Sequence, residues 1–185
     1  MINNQNKLGL VAIAIVSSGL ASGFFAREIQ ASEAKSLLSQ PNFPIAQVIP
    51  DRLELLKRIE NERECQGCDL RDVDLENADL NGVDFSNAIL IDADLDNANL
   101  SNANLSGANL TDADLEGANL SNANLSGADL TDADLEEANL SNANLANANM
   151  TNADLEEANM TGADLTNAEL RGADLDDVTG LEQLP

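Results

Sequence analysis

The chain has 185 residues, a formal net charge of −24 from 9 Lys+Arg against 33 Asp+Glu, and no His, Trp or Tyr. Without histidine it holds no serine or cysteine triad of the usual kind, no His-ligated metal and no imidazole acid or base. Four phenylalanines cannot fill an ordinary aromatic core, and so acidic a chain opposes direct nucleic-acid binding, where phosphates require Lys and Arg.

Residues 1–34 open with Lys7 ahead of the apolar run Leu8–Val16 (LGLVAIAIV), then Ser17, Ser18, Gly19 and a second apolar stretch through Phe25 and Ala26. This order reads as a secretory signal. Small residues suited to cleavage occur at Gly19-Leu20-Ala21 and at Ser32-Glu33-Ala34. The alternative is an uncleaved anchor over residues 8–26, whose 19 residues approach a bilayer span. Residues 35–50, with Pro41, Pro44 and Pro50, form a linker.

Residues 51–63 (DRLELLKRIENER) predict a short amphipathic helix. Asp51 and Glu54 make a capping box, and Leu53, Leu56 with Leu55, Ile59 supply one apolar stripe. Three turns are marginal alone, so the helix is expected to cap the module that follows.

From Cys68 to Asp177 the chain repeats every five residues, 22 times over 110 residues. A large apolar residue occupies each fifth position (Leu70, Leu75, Leu80, Phe85, Leu90, onward to Met150, Met160 and Leu175), and a small one lies two before it. Period five fits neither a helix nor a flat strand, and so strict a repeat is the mark of a solenoid. The units ANLSN, ADLEG, ANLSG and ADLTD resemble the A(D/N)LXX motif of the pentapeptide repeat family. The resemblance implies an all-β solenoid, a right-handed quadrilateral β-helix with one pentapeptide per face and four per coil, the Leu and the preceding Ala pointing inward. The expected coil spans 64–178, about 5.5 coils and about 26 Å long, with residues 179–185 as a tail whose Leu181 and Leu184 fold over the last coil.

Four repeats per coil would stack residues n and n+20. One such column reads Asp74, Asp94, Asp114, Asp134, Asp154, Asp174; its neighbour reads Glu76, Asp96, Glu116, Glu136, Glu156, Asp176. The adjoining corners add Asp72, Asp92, Asp112, Asp132 and Glu137, Glu157, Asp177, so these columns hold 19 of the 25 acids in residues 69–178. The other faces carry Asn99, Asn119, Asn139, Asn159 and Asn104, Asn124, Asn144. Stacked asparagines can hydrogen-bond along the column, whereas like charges on adjacent strands repel. About three carboxylates per coil of about 4.8 Å approach the charge density of duplex DNA, about one per 1.7 Å. Duplication of a 20-residue unit and a solvated surface explain the columns as well as a binding strip does.

Cys65 takes a central-leucine position and Cys68 an alanine position, so both point into the first coil. Two ligands without histidine would need a second chain to complete a zinc site, so a disulfide or two buried thiols are expected ahead of a redox or metal role. Ile89 and Ile91 stand at outward positions that carry Asn, Asp or Thr in other coils. The cap helix or a second subunit could cover them.

These features predict no enzyme and no cofactor. They predict a structural or interaction module that is exported to the periplasm or the thylakoid lumen and presents a rigid acidic rod to a basic protein partner. Membrane contact is expected only if the N-terminal segment stays uncleaved, and a homodimer is compatible with the exposed strand edges. The alternatives are a DNA mimic for a protein such as a type II topoisomerase, which the resemblance implies for some members, and a divalent-cation strip on the Asp74 column.

Overall fold

The computed structural model describes residues 55, 58–59 and 61–181. The signal or anchor segment, the 35–50 linker, Leu53, Leu56 and Leu184 lie outside the described residues.

Twenty parallel bridges join each residue to the one twenty positions later, from Glu64↔Asp84 to Asn159↔Thr179. The offset of twenty, with one bridge per five residues, is the four-sided right-handed β-helix. The ladder extends one repeat beyond each end of the 68–177 array, because Glu64-Cys65 and Val178-Thr179 fit the same positions. It therefore makes just under six coils, more than the expected 5.5.

Each repeat turns its corner with the small residue's N–H donating to the preceding leucine carbonyl, as in Ala98 N to Leu95 O at 2.9 Å. The residue before the small one has positive φ throughout, from 51° at Asp72 to 78° at Gly172. Only Gly, Asn and Asp enter that region cheaply, which explains their dominance at this position. Glu137 (57°) and Glu157 (58°) are the exceptions on the acidic edge.

In a repeat with Asp or Asn before the leucine, all five N–H groups are bonded. In the repeat 93–97, Ala93 N–H closes the turn on Leu90, Asp94 N–H donates back to Val73, and Leu95 and Asn97 donate forward to Asp114 and Glu116. The fifth, Asp96 N–H, donates to the side chain of Asp94 at 3.2 Å. The Asp or Asn of the motif is thus structural, because it accepts the one backbone donor that the ladder misses.

Inside, Leu95 through Leu145 and Ala93 through Ala158 are essentially inaccessible to solvent. At the N-terminal end the cap helix, described at Leu55, Arg58–Ile59 and Asn61–Glu62, buries Ile59 to 2 % exposure, with Leu55 packed beside it. The last coil differs: Ala163, Leu165, Ala168, Leu170, Ala173 and Leu175 are only partly buried, with Leu181 packed against the core.

Because Ala113 and Ala133 fill closed space, Ala113→Leu or Ala133→Leu is expected to cost about 1–3 kcal/mol by overpacking. Ser121→Ala should cost under about 0.5 kcal/mol, because the half-buried side chain points outward from the coil and fills no core space. Denaturant titration of the three variants checks this; equal costs would contradict the closed interior. Glu137→Asn should raise stability by about 1 kcal/mol, since it relieves a positive-φ penalty and removes one like charge.

Candidate interaction face

The four faces share one backbone and differ in what their outward side chains do. On the Asn99 face each carboxamide accepts from the backbone two residues on and donates to the coil before it. Asn119 Nδ2 donates to Asn99 Oδ1 at 3.4 Å, Asn139 to Asn119 at 3.3 Å and Asn159 to Asn139 at 3.4 Å. The next face repeats the pattern from Asn104 through Asn124 to Asn144, at 3.2 and 3.1 Å.

The acidic face lies between the Ile89 face and the Asn99 face. Asp74, Asp94, Asp114, Asp134, Asp154 and Asp174 form a continuous bridge column, and each accepts a backbone N–H from its neighbour two residues on. A carboxylate has no donor to pass along the column, so the ladder of the asparagine faces is missing here. Glu76, Asp96, Glu116, Glu136, Glu156 and Asp176 run alongside, exposed or half-exposed. The ion pairs Arg63–Asp79 (3.4 Å) and Arg71–Asp69 (3.5 Å) lie on other faces.

Titration behaviour follows the face. Burial, and then the charges of Asp74, Asp114 and Asp96, push the Asp94 carboxyl above the usual range despite its backbone hydrogen bond. Glu116, Glu136 and Glu156 are also raised, by desolvation first and repulsion from their acidic neighbours second. On the asparagine face the same side chain shifts the other way. Asp84 is lowered by the Ser86 N–H at 2.9 Å and hydroxyl, helped by Asn104 Nδ2 at 3.0 Å. Asp164 is lowered by the Thr166 hydroxyl at 2.6 Å and backbone N–H. The sequence suggested repulsion alone; partial desolvation by the packed columns is the larger cause.

Carboxylate oxygens of Asp134, Glu136 and Asp154 approach within 4.8 Å of one another. A shallow depression lined by Asp72, Val73, Asp74, Asp92 and Asp94 marks the other end of the edge. Cys65 and Cys68 are joined as a disulfide beneath the cap helix, both buried. Sequence reasoning missed that Glu137 and Glu157 hold a strained backbone. Their replacement of the usual Asn or Gly was the available signal.

The sequence matches the Pentapeptide repeats family over residues 68–107, 108–145 and 138–177. The chain is a pentapeptide repeat protein. It is 37% identical to the pentapeptide repeat protein Rfr23 of the cyanobacterium Cyanothece 51142, over 69% of this chain and 97% of that one, with a TM-score of 0.40. It is also 37% identical to AT2G44920, a pentapeptide repeat protein of the Arabidopsis thaliana thylakoid lumen, over 61% and 68% of the two chains (TM-score 0.42). QnrB1, a plasmid-mediated fluoroquinolone resistance protein, is 22% identical over 62% and 64% (TM-score 0.39). No curated protein matches the chain.

The raised carboxyls bind protons more tightly in the folded coil than in the unfolded chain. Their ionisation therefore opposes folding above their folded pKa values, and the opposition is relieved as pH falls through them toward the ordinary carboxylate range. Thermal melts should show a higher midpoint at pH 4.5 than at pH 7.5, until loss of the lowered Asp84 and Asp164 reverses the trend at more acidic pH. Replacing Asp94, Asp114 and Asp134 by Asn should raise the midpoint at pH 7.5 and flatten the response, since the variant gains carboxamide donors at about 1 kcal/mol each. Millimolar calcium should stabilise the wild type more than the triple variant, as counter-charge gathered by the folded column without a full coordination site. Identical responses from the two proteins would reduce the face to solvated surface.

Proposed function

We propose that the chain is a non-enzymatic interaction module that acts after export and offers its acidic face to a basic protein partner. The observation that carries this reading is the concentration of like charge on one face and its edges. There the aspartates repel and forgo a ladder, while two other faces use neutral asparagines in the same backbone positions. A surface needed only for solubility would spread its acids. Export rests on the Lys7, Leu8–Val16 and Ser17–Gly19 pattern, with the periplasm or thylakoid lumen as the destination.

The DNA-mimic alternative uses the same face, and its support is the charge density. Export removes the chain from a cytosolic topoisomerase, which favours the extracytosolic partner. A calcium strip draws on the Asp134, Glu136, Asp154 cluster, but three oxygens fall short of the six to eight ligands calcium takes. A partner presenting several lysines or arginines satisfies the whole column.

Cell fractionation with N-terminal sequencing of the mature protein tests the first half of the proposal. A mature N-terminus after Ala21 or Ala34 in an extracytosolic fraction is expected. A full-length cytosolic chain would sink export and return the DNA-mimic reading. Binding of a deca-lysine peptide tests the second half. The Asp94, Asp114, Asp134 to Asn variant should bind at least about tenfold more weakly, with a shallower salt dependence. Equal affinity and equal salt slopes would remove the face from recognition.

A further inference from the structure

Two departures from the repeat fall on one face, that of Ile89. Residues 64–178 hold two basic side chains, Arg71 and Arg171, and both stand in the same outward column of this face. They mark its two ends, five coils or roughly 24 Å apart. Each stands two residues after an acid, Asp69 or Glu169, and Arg71 holds Asp69 at 3.5 Å. All four of these residues are exposed. Between the ends, the second coil carries Ile89 and Ile91, half-buried, where every other coil has polar or charged residues in these columns.

The isoleucines also leave donors behind. Ile89 offers no acceptor to the Ile91 N–H, whereas one coil on the Thr111 N–H donates to Asn109 Oδ1 at 3.0 Å. Nor can Ile89 receive the Asn109 carboxamide. Asn149, two coils further, donates its Nδ2 to Asp129 Oδ1 at 3.1 Å, and Asn109 Nδ2 makes no such bond among the described residues. A lone rod exposes apolar surface here and forfeits hydrogen bonds at the same place.

We propose that this face is an interface between two copies of the chain, side by side and parallel, related by a two-fold axis that runs along the coil. That axis sets the Asp69 column of one copy against the Arg71 column of the other, coil against like coil. Arg71 meets Asp69 of the second copy, and Arg171 meets Glu169 of the second copy, each twice over by symmetry. Ile89 meets Ile91 of the second copy, and the apolar pair is covered from both sides. Asn109 Nδ2 meets Thr111 of the second copy. That hydroxyl gives its own proton to Asn109 Oδ1 at 2.7 Å and keeps a lone pair to accept.

The direction follows from the charges. In an antiparallel pair each column faces itself reversed, so Arg71 meets Arg171 and Asp69 meets Glu169, both repulsive. The other faces fail the same test. The acidic face would set carboxylates against carboxylates, and the two asparagine faces take no Lys or Arg from residues 64–178. In the parallel pair the acidic edge from Asp72 to Asp132 falls opposite the neutral edge at Asn87, Gly107 and Gly127 of the second copy. The two acidic faces then point away from each other, and the rod becomes divalent. The face measures roughly 24 Å by 12 Å, or about 300 Å² from each copy. A total near 600 Å² is about half of the roughly 1,200 Å² at which stable interfaces begin, so the association is weak and reversible.

Sedimentation equilibrium of the full-length protein from about 10 µM to about 1 mM tests the pair, and a reversible monomer–dimer equilibrium is expected. Arg71→Asp with Arg171→Asp should weaken it at least about tenfold. Adding Asp69→Arg and Glu169→Arg exchanges the charges and returns the net charge of the wild type, and should restore affinity to within about threefold. Ile89→Asn with Ile91→Thr should weaken it at least about fivefold. These two install the residues of the next coil, Asn109 and Thr111, and carry the test if a charge variant loses its coil by circular dichroism. Cross-linking reads the direction. Under mild oxidation Asn109→Cys should join Thr111→Cys in a mixture of the two variants, whereas an antiparallel pair joins Asn109→Cys to Asp129→Cys. A wild type that stays monomeric throughout overturns the proposal. So does a dimer that the charge and isoleucine variants leave unchanged, an exchange variant no tighter than the reversed one, or the antiparallel cross-link.

Discussion

The interior of the coil admits one leucine and one alanine per face, and the rest of the molecule depends on how closely that space is filled. With Leu and Ala excluded from solvent in every coil but the last, neighbouring coils approach to strand distance and the backbone of each repeat is committed to its neighbours. Four N–H groups in five are used by the backbone, and the fifth demands a side-chain acceptor one position before the leucine. The outward face therefore inherits a fixed set of Asp or Asn sites before any partner is considered. Choosing Asn turns those sites into a ladder, whereas choosing Asp turns them into a charged column.

That choice is where structure passes into function. The asparagine columns link coil to coil through carboxamides. The aspartate column keeps the same backbone contact and loses the link. Asp84 and Asp94 show the physical difference, since both accept a neighbouring N–H, yet neutral donors lower one carboxyl while burial and like charge raise the other. On the proposed reading such a face is pre-organised for cations on a partner, because its carboxylates are held in line by the coil. Little ordering is then left to do on binding.

The period of five made the coil legible in the sequence, because a solenoid must repeat its inward pair to stay closed. The columns at n and n+20 followed by arithmetic, and the bridges occur at that offset. The ends were nearly legible too, since Cys65 was read at a central-leucine position and the bridges run from Glu64 to Thr179, one residue past the expected 64–178. Other features depended on facts that the pattern does not carry. The positive φ of Glu137 and Glu157 was concealed by residues that rarely take it. The structural duty of Asp and Asn toward the backbone needed hydrogen-bond geometry to appear. The sequence also left Cys65 and Cys68 between thiols and a disulfide, since either fits an inward pair.

The central claim is that the acidic face carries a standing electrostatic cost that its coil neighbours do not. The most direct measurement is the thermal midpoint against sodium chloride from low to near-molar concentration at pH 7.5, for the wild type and for the Asp94, Asp114, Asp134 to Asn protein. Screening shortens to about 3 Å at 1 M salt, below the coil spacing. The account predicts a midpoint that climbs steeply with salt in the wild type and much less in the triple variant, the gap narrowing at high salt to what the added carboxamide bonds contribute. Parallel curves of equal slope would contradict it.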